Sequence, residues 1–181
     1  MKTIKQNIPI RSVSKDTIAR SEEVFTGYID SDFEKYGTDK KSPKTAETKV
    51  AVLEMDKDGT FKQIFDSISA DTDSMSLTQA QIIEFCKTNK DDLRQGGYAT
   101  FFLFKGDLDF FVAYVRVIVG ELEVYVLRFS RDDVWNAEFR HRFVVPQLAL
   151  GKVDTSVTLT PNPSDTLPTE LVINGVTYVK K

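Results

Sequence analysis

The chain has 181 residues, 41% of them hydrophobic and 28% charged, with a net charge of −3 at pH 7 and a pI near 5.3. That length suits one domain with appendages, burying roughly 70% of the surface its unfolded chain exposes. The acidic balance argues against whole-surface attraction to nucleic acid or anionic lipid, although a local basic strip would escape that argument.

In chain order, residues 1–13 are polar, and Pro9 opposes a helix there. From about Ser14 to Tyr36, the residues Ile18, Val24, Phe25, Tyr28, Ile29, Phe33 and Tyr36 share one side at about 100° per residue. This predicts an N-terminal amphipathic helix, capped by Ser14 and ended by Gly37, with Gly27 as its weak point. Residues 40–48 read as a linker. A short strand at 49–55 follows, then the Asp58-Gly59 turn and a short helix carrying Phe61, Ile64, Phe65 and Ile68. Residues 77–93 give the clearest helix, with Ser76 as N-cap, Ile82, Ile83, Phe85, Cys86 and Leu93 facing inward and Gln81 outward. Gly96-Gly97 ends it.

Twelve of the 20 aromatic residues lie between Tyr98 and Phe143. The strands expected in this stretch are 98–105, 110–119, 122–129 and 139–145, with hairpin turns at 105–107 and 119–121. Between the last two strands, Ser130 to Asn136 reads as one helical turn capped by Ser130, with Asp133 in the capping-box position. Beyond Pro146, a strand at 155–160, a stiff connector at 161–168 and a C-terminal β-hairpin over 170–179 are expected, the hairpin turning at Asn174-Gly175. The predicted fold is α+β: an antiparallel meander of four or more strands with a packed helix, an N-terminal helix and a C-terminal hairpin. The division is a helical arm and linker at 1–44, a core at 45–150 and an extension at 151–181.

Alternation places Phe111, Ala113, Val115, Val117 and Val119 on one sheet face, and Phe110, Val112, Tyr114, Arg116 and Ile118 on the other. One helix cannot cover two faces this apolar, so either another part of the chain or a partner must cover the second. Trp135 reads either as a lid on the end of the core or as an interface anchor. His141 should sit with Phe139 and Phe143 on an apolar strand face, as a hydrogen-bonded core histidine. Catalysis would need an orienting carboxylate, with Asp132, Asp133 and Glu138 nearby in sequence. Arg116, Arg128, Arg140 and Arg142 could form a cationic strip interleaved with Tyr114 and Tyr125, although pairing with Glu121, Glu123 and Glu138 is the stronger expectation.

One cysteine and one histidine exclude an internal disulfide and leave zinc or haem short of ligands, so no cofactor is expected. Asp56-Lys57-Asp58-Gly59 begins like a calcium loop but lacks the later oxygen ligands. There is no P-loop, dinucleotide glycine fingerprint or Gly-x-Ser-x-Gly elbow. With no apolar run of about 20 residues and no apolar core near the N-terminus, a cytoplasmic protein, or one within an intracellular or viral assembly, is expected.

The expected function is therefore non-enzymatic. The chain reads as a protein-binding module or assembly subunit, partnered by another protein or by its own copies through an aromatic sheet face and terminal arms. A small hydrolase or nuclease using His141 is the first alternative, and nucleic-acid binding along the arginines the second and less favoured one. No membrane partner is expected.

Overall fold

A computed structural model describes residues 1–11, 16–41 and 45–150, together with the backbone of 170–173 and 176–179. Ser14, part of the 40–48 linker, the expected 155–160 strand, the 161–168 connector and the Asn174-Gly175 turn lie outside the described residues. The chain is α+β, built on a seven-stranded mixed sheet with few helices. No helix among the described residues is long and apolar enough to cross a membrane.

Its strands are β1 (Lys2–Ile10), β2 (Tyr28–Ile29), β3 (Thr48–Glu54), β4 (Ala99–Lys105), β5 (Phe110–Ile118), β6 (Glu121–Arg128) and β7 (Arg142–Pro146), in the order β1-β3-β7-β4-β5-β6-β2. The expected meander survives only as β4-β5-β6. β7 does not continue it beside β6, because β2 occupies that edge in parallel pairing. Instead β7 inserts between β3 and β4 and runs parallel to β4. A parallel return needs a crossover of about a dozen residues, and the chain between Arg128 and Arg142 supplies it. This crossover carries Trp135 and His141. Two further strands, β8 (Glu170–Ile173) and β9 (Val176–Val179), pair antiparallel in a separate two-stranded sheet.

The predicted helix over 14–36 is not formed. Its apolar residues anchor separately: Ile18 in a single 3-10 turn, Tyr28 and Ile29 in β2, and Phe33 in the short helix α1 (Asp32–Lys35). Gly27 explains the break. Its N–H donates to the Leu122 carbonyl at 3.0 Å, and a Cβ there would stand 3.1 Å from Glu123 Cγ, so this residue serves close approach to β6. Gly37 ends α1 as expected, at φ = 66°, while the Thr38 N–H returns to the Phe33 carbonyl. Residues 2–10, for which the sequence argues only against a helix, form an edge strand with a bulge at Asn7, whose φ is 58°. Only Ile8 and Ile10 of this strand are buried, so its alternation is faint in the sequence.

Two helices follow the apolar spacing. Helix α2 (Phe61–Asp66) opens with a capping box between Thr60 and Gln63, and α3 (Gln79–Thr88) with one between Thr78 and Gln81. Thr78, not Ser76, is therefore the cap. Gln81, expected outward, is buried and donates to Thr48 Oγ1 at 3.0 Å. Residues 130–134 hold no helical turn; the turn falls at 137–139, where Asn136 Oδ1 accepts from the Glu138 N–H.

These elements divide the core between the two sheet faces. On one face, α3 and the 18–36 segment cover Val52, Phe102, Phe104, Phe111, Val115 and Val124. On the other, α2 covers Leu53, Phe101, Phe143 and Val145. The β5–β6 part of that second face carries no helix, and Tyr114, Arg116, Tyr125 and Leu127 there are only half-buried.

Candidate functional site

The uncovered part of the second face becomes a groove because the crossover runs along its side. Trp135 is held there by main-chain bonds in both directions with Gly59, and the Asp58 carboxylate accepts from the Ala137 N–H at 2.8 Å. Asp58-Gly59, which resembled the start of a calcium loop, thus ties down the crossover. Asp56 pairs instead with the N-terminal ammonium at 2.7 Å.

Pinned this way, the indole packs edge-on to Phe101, His141 and Tyr114 and tilted on Phe61, with ring centroids 4.6 to 5.7 Å apart. It is half-buried, and its Nε1 donor is enclosed with no hydrogen-bond partner among the described residues. Rings continue on both sides of it. Tyr98, Phe139, His141, Trp135, Tyr114, Tyr125 and Tyr28 form an unbroken ladder, adjacent centroids lying 5.2 to 5.8 Å apart. Exposed Tyr98 and Phe139 stand at one end and exposed Tyr28 at the other.

Two hollows flank Trp135 and share Tyr114, Val134 and Trp135 as a common wall. The first, about 290 Å³, is bounded also by Gly97, Tyr98, Asn136, Phe139 and His141. The second, about 340 Å³, is bounded also by Asp30, Tyr125, Leu127, Arg131 and Asp133. A larger hollow of about 430 Å³ lies over residues 19–34, among Glu22, Asp30 and Glu34, but no unpaired buried polar group lines it.

His141 is 5% exposed, and its Nδ1 accepts the Ala99 N–H at 3.1 Å. Burial, with the positive charge of Arg94 acting the same way, lowers its pKa to about 4. The imidazole is therefore neutral at pH 7, with its proton on Nε2. No carboxylate among the described residues is hydrogen-bonded to it. Asp133 pairs with Arg131, and neither Asp132 nor Glu138 reaches the ring. At a pKa near 4 it is a weak base at neutral pH.

The four arginines of the expected strip do not share a face. Arg116 lies in the groove, where Glu123 Oε2 accepts from it at 2.6 Å and the Tyr125 hydroxyl at 2.8 Å. Arg128 is on the opposite face, its guanidinium 4.7 Å from the Tyr36 ring centre. Arg142 donates to the carbonyls of Asp92 and Leu93, and Arg140 holds a left-handed turn at φ = 49°. The structure thus gathers Trp135, His141, Tyr114, Tyr125 and Arg116, and separates Arg128, Arg140 and Arg142 from them. Tyr28, Tyr98, Val134 and Phe139 were missed. Only the crossover and the β2–β6 pairing bring them to the groove, and neither is visible as a local pattern.

Burial raises the pKa of the Cys86 thiol on α3, leaving it protonated, inert and packed in the core. Among the described residues, no three His, Cys, Asp or Glu side chains come together as a metal site. No protein-family model matches the chain, and comparison with characterised proteins and with solved structures gives no match.

Proposed function

We propose that this chain is a non-enzymatic protein-binding module that receives its partner in the aromatic groove beside Trp135. The observation that carries this reading is the ring ladder, which crosses the part of the sheet that α2 leaves open and ends in exposed Tyr98, Phe139 and Tyr28. Exposed rings beside half-buried ones supply the aromatic anchors that dominate interface cores. A neutral His141 without an orienting carboxylate favours binding over hydrolysis. The scattering of the arginines and the net charge of −3 favour a protein over a nucleic-acid strand. The N-terminal residues supply both edge strands, β1 and β2, so the groove is a better contact surface than a detachable arm.

The test is capture of partners from the source cells by the tagged full-length chain and by its Val134→Asp variant. Val134 is 66% exposed on the wall between the two hollows, so the substitution should leave the fold intact. Recovery of a stoichiometric partner by the parent and its loss with the variant is expected. Equal recovery by both would remove the groove from the interface.

A further inference from the structure

The groove presents hydrogen-bond donors that no described residue receives. Trp135 Nε1 is enclosed without a partner among the described residues. His141 commits Nδ1 to the Ala99 amide, which leaves its Nε2 proton without an acceptor among the described residues. Both residues line the first hollow, which contains no charged side chain. Asn136, the amide of that hollow, has its oxygen engaged by the Glu138 N–H. An enclosed donor without an acceptor is costly, so Trp135 Nε1, with the His141 N–H beside it, favours an occupant that brings carbonyl oxygens.

An ordinary extended peptide brings N–H groups in the same number as carbonyls, and the first hollow has little to accept them. A proline-rich segment differs. Proline has no N–H, and the polyproline II helix makes no internal hydrogen bonds, so its carbonyls are free to accept. Its pyrrolidine rings present flat apolar faces of the kind that pack on Tyr and Trp, and aromatic-lined grooves are a recurring way to hold such segments. The two hollows on either side of the Tyr114–Val134–Trp135 wall give successive prolines separate seats. Charge supplies a direction. In the second hollow Arg131 pairs with Asp133, which leaves the net negative charge on Asp30, whose oxygens accept, among the described residues, only the main-chain N–H groups of Asp32 and Val126.

We propose that the groove binds a proline-rich polyproline II segment of a partner protein, with prolines in the hollow of Tyr98, Trp135 and His141 and a basic residue over Asp30. This rests on the partner-binding reading above and names the chemistry of the partner.

The chain contains one tryptophan, so its emission reports the groove directly. The full-length protein is titrated with an end-blocked peptide of six prolines followed by arginine. The controls are the same peptide with six alanines, and the proline peptide ending in glutamate. The expected result is a saturable change in Trp135 emission with the proline–arginine peptide. Binding should be about tenfold weaker or worse for the alanine peptide, and weaker for the glutamate one. Tyr98→Ala and Val134→Lys, both at exposed positions, should each weaken the proline–arginine peptide by about tenfold at an unchanged urea midpoint. No emission change at millimolar peptide, or an equal response to the alanine peptide, would overturn the proposal. If the peptides fail while partner capture still depends on Val134, the proline assignment alone falls. If capture is also indifferent to Val134→Asp, the partner-binding reading falls with it.

Discussion

The main-chain amide of Ala99 donates to Nδ1 of His141 across 3.1 Å, joining the first residue of β4 to the last residue of the crossover. The neighbouring peptide is engaged too, because the His141 carbonyl accepts the Met55 N–H at 2.9 Å. One histidine thus ties the loop carrying Trp135 to two separate parts of the sheet framework. Its neutral form is the one that fits, since a protonated Nδ1 could not accept from Ala99.

Stability should therefore fall in acid through His141. Its folded pKa, about 4, lies below the ordinary histidine value near 6.5, so the unfolded chain takes up the proton first. Between those limits stability rises with pH, with a one-proton slope of at most about 1.4 kcal/mol per pH unit, and the contribution is complete above about pH 6.5. Urea midpoints of the parent and His141→Gln across pH 4 to 7 check this. The parent should lose more stability than the variant as pH falls, and parallel curves would refute it.

Val119 is strained. It turns the β5–β6 hairpin at φ = 48°, followed by Gly120 at φ = 84°, and its side chain is 99% exposed. A β-branched residue tolerates the left-handed region poorly, whereas asparagine adopts it readily in this type of turn. Val119→Asn should stabilise the protein by about 1 kcal/mol, because little packing is lost and the strain is relieved. A lower urea midpoint for the variant would contradict that account.

Gly106 is required for a different reason. A Cβ at this position would stand 2.7 Å from Phe111 Cε2, and the ring is hemmed in by Phe104 and Tyr36. Gly106→Ala should destabilise by about 1–3 kcal/mol, the usual range for overpacking. A melting temperature equal to that of the parent would show that Phe111 has room to move.

Arg116 and Glu123 face each other across β5 and β6, both partly buried, with the Tyr125 hydroxyl bonded to both. A double-mutant cycle on Arg116→Met and Glu123→Gln should give a coupling of about 0.5–1 kcal/mol. The exposed Lys62–Asp66 pair on α2 should give less. Equal couplings would mean that the groove pair is no stronger than a solvated one.

Much of the fold was legible in the sequence. The strands over 49–55 and 98–129 and the two helices expected over 61–68 and 77–93, which form as Phe61–Asp66 and Gln79–Thr88, follow from alternation and helical spacing, because each buries one face against the sheet. The segment 14–36 misled because its apolar residues happen to repeat at helical spacing. In fact each docks separately, and Gly27 marks contact with β6, not a helix defect. Where β7 inserts is a long-range choice that local pattern does not encode, since it depends on β2 taking the β6 edge. The same choice hid part of the site. Trp135, Tyr114 and Tyr125 stood out as aromatic residues among polar or alternating neighbours, whereas Tyr98, Phe139 and Tyr28 joined them only through the topology.

The central claim, that the groove is the binding surface, is tested most directly by site-specific photo-crosslinking in the source cells. A photoreactive side chain would replace either Val134, between the two hollows, or Leu108, 95% exposed on the β4–β5 loop. The account predicts a discrete crosslinked partner from position 134 and none from position 108. Adducts from 108 alone, or the same adducts from both positions, would contradict it.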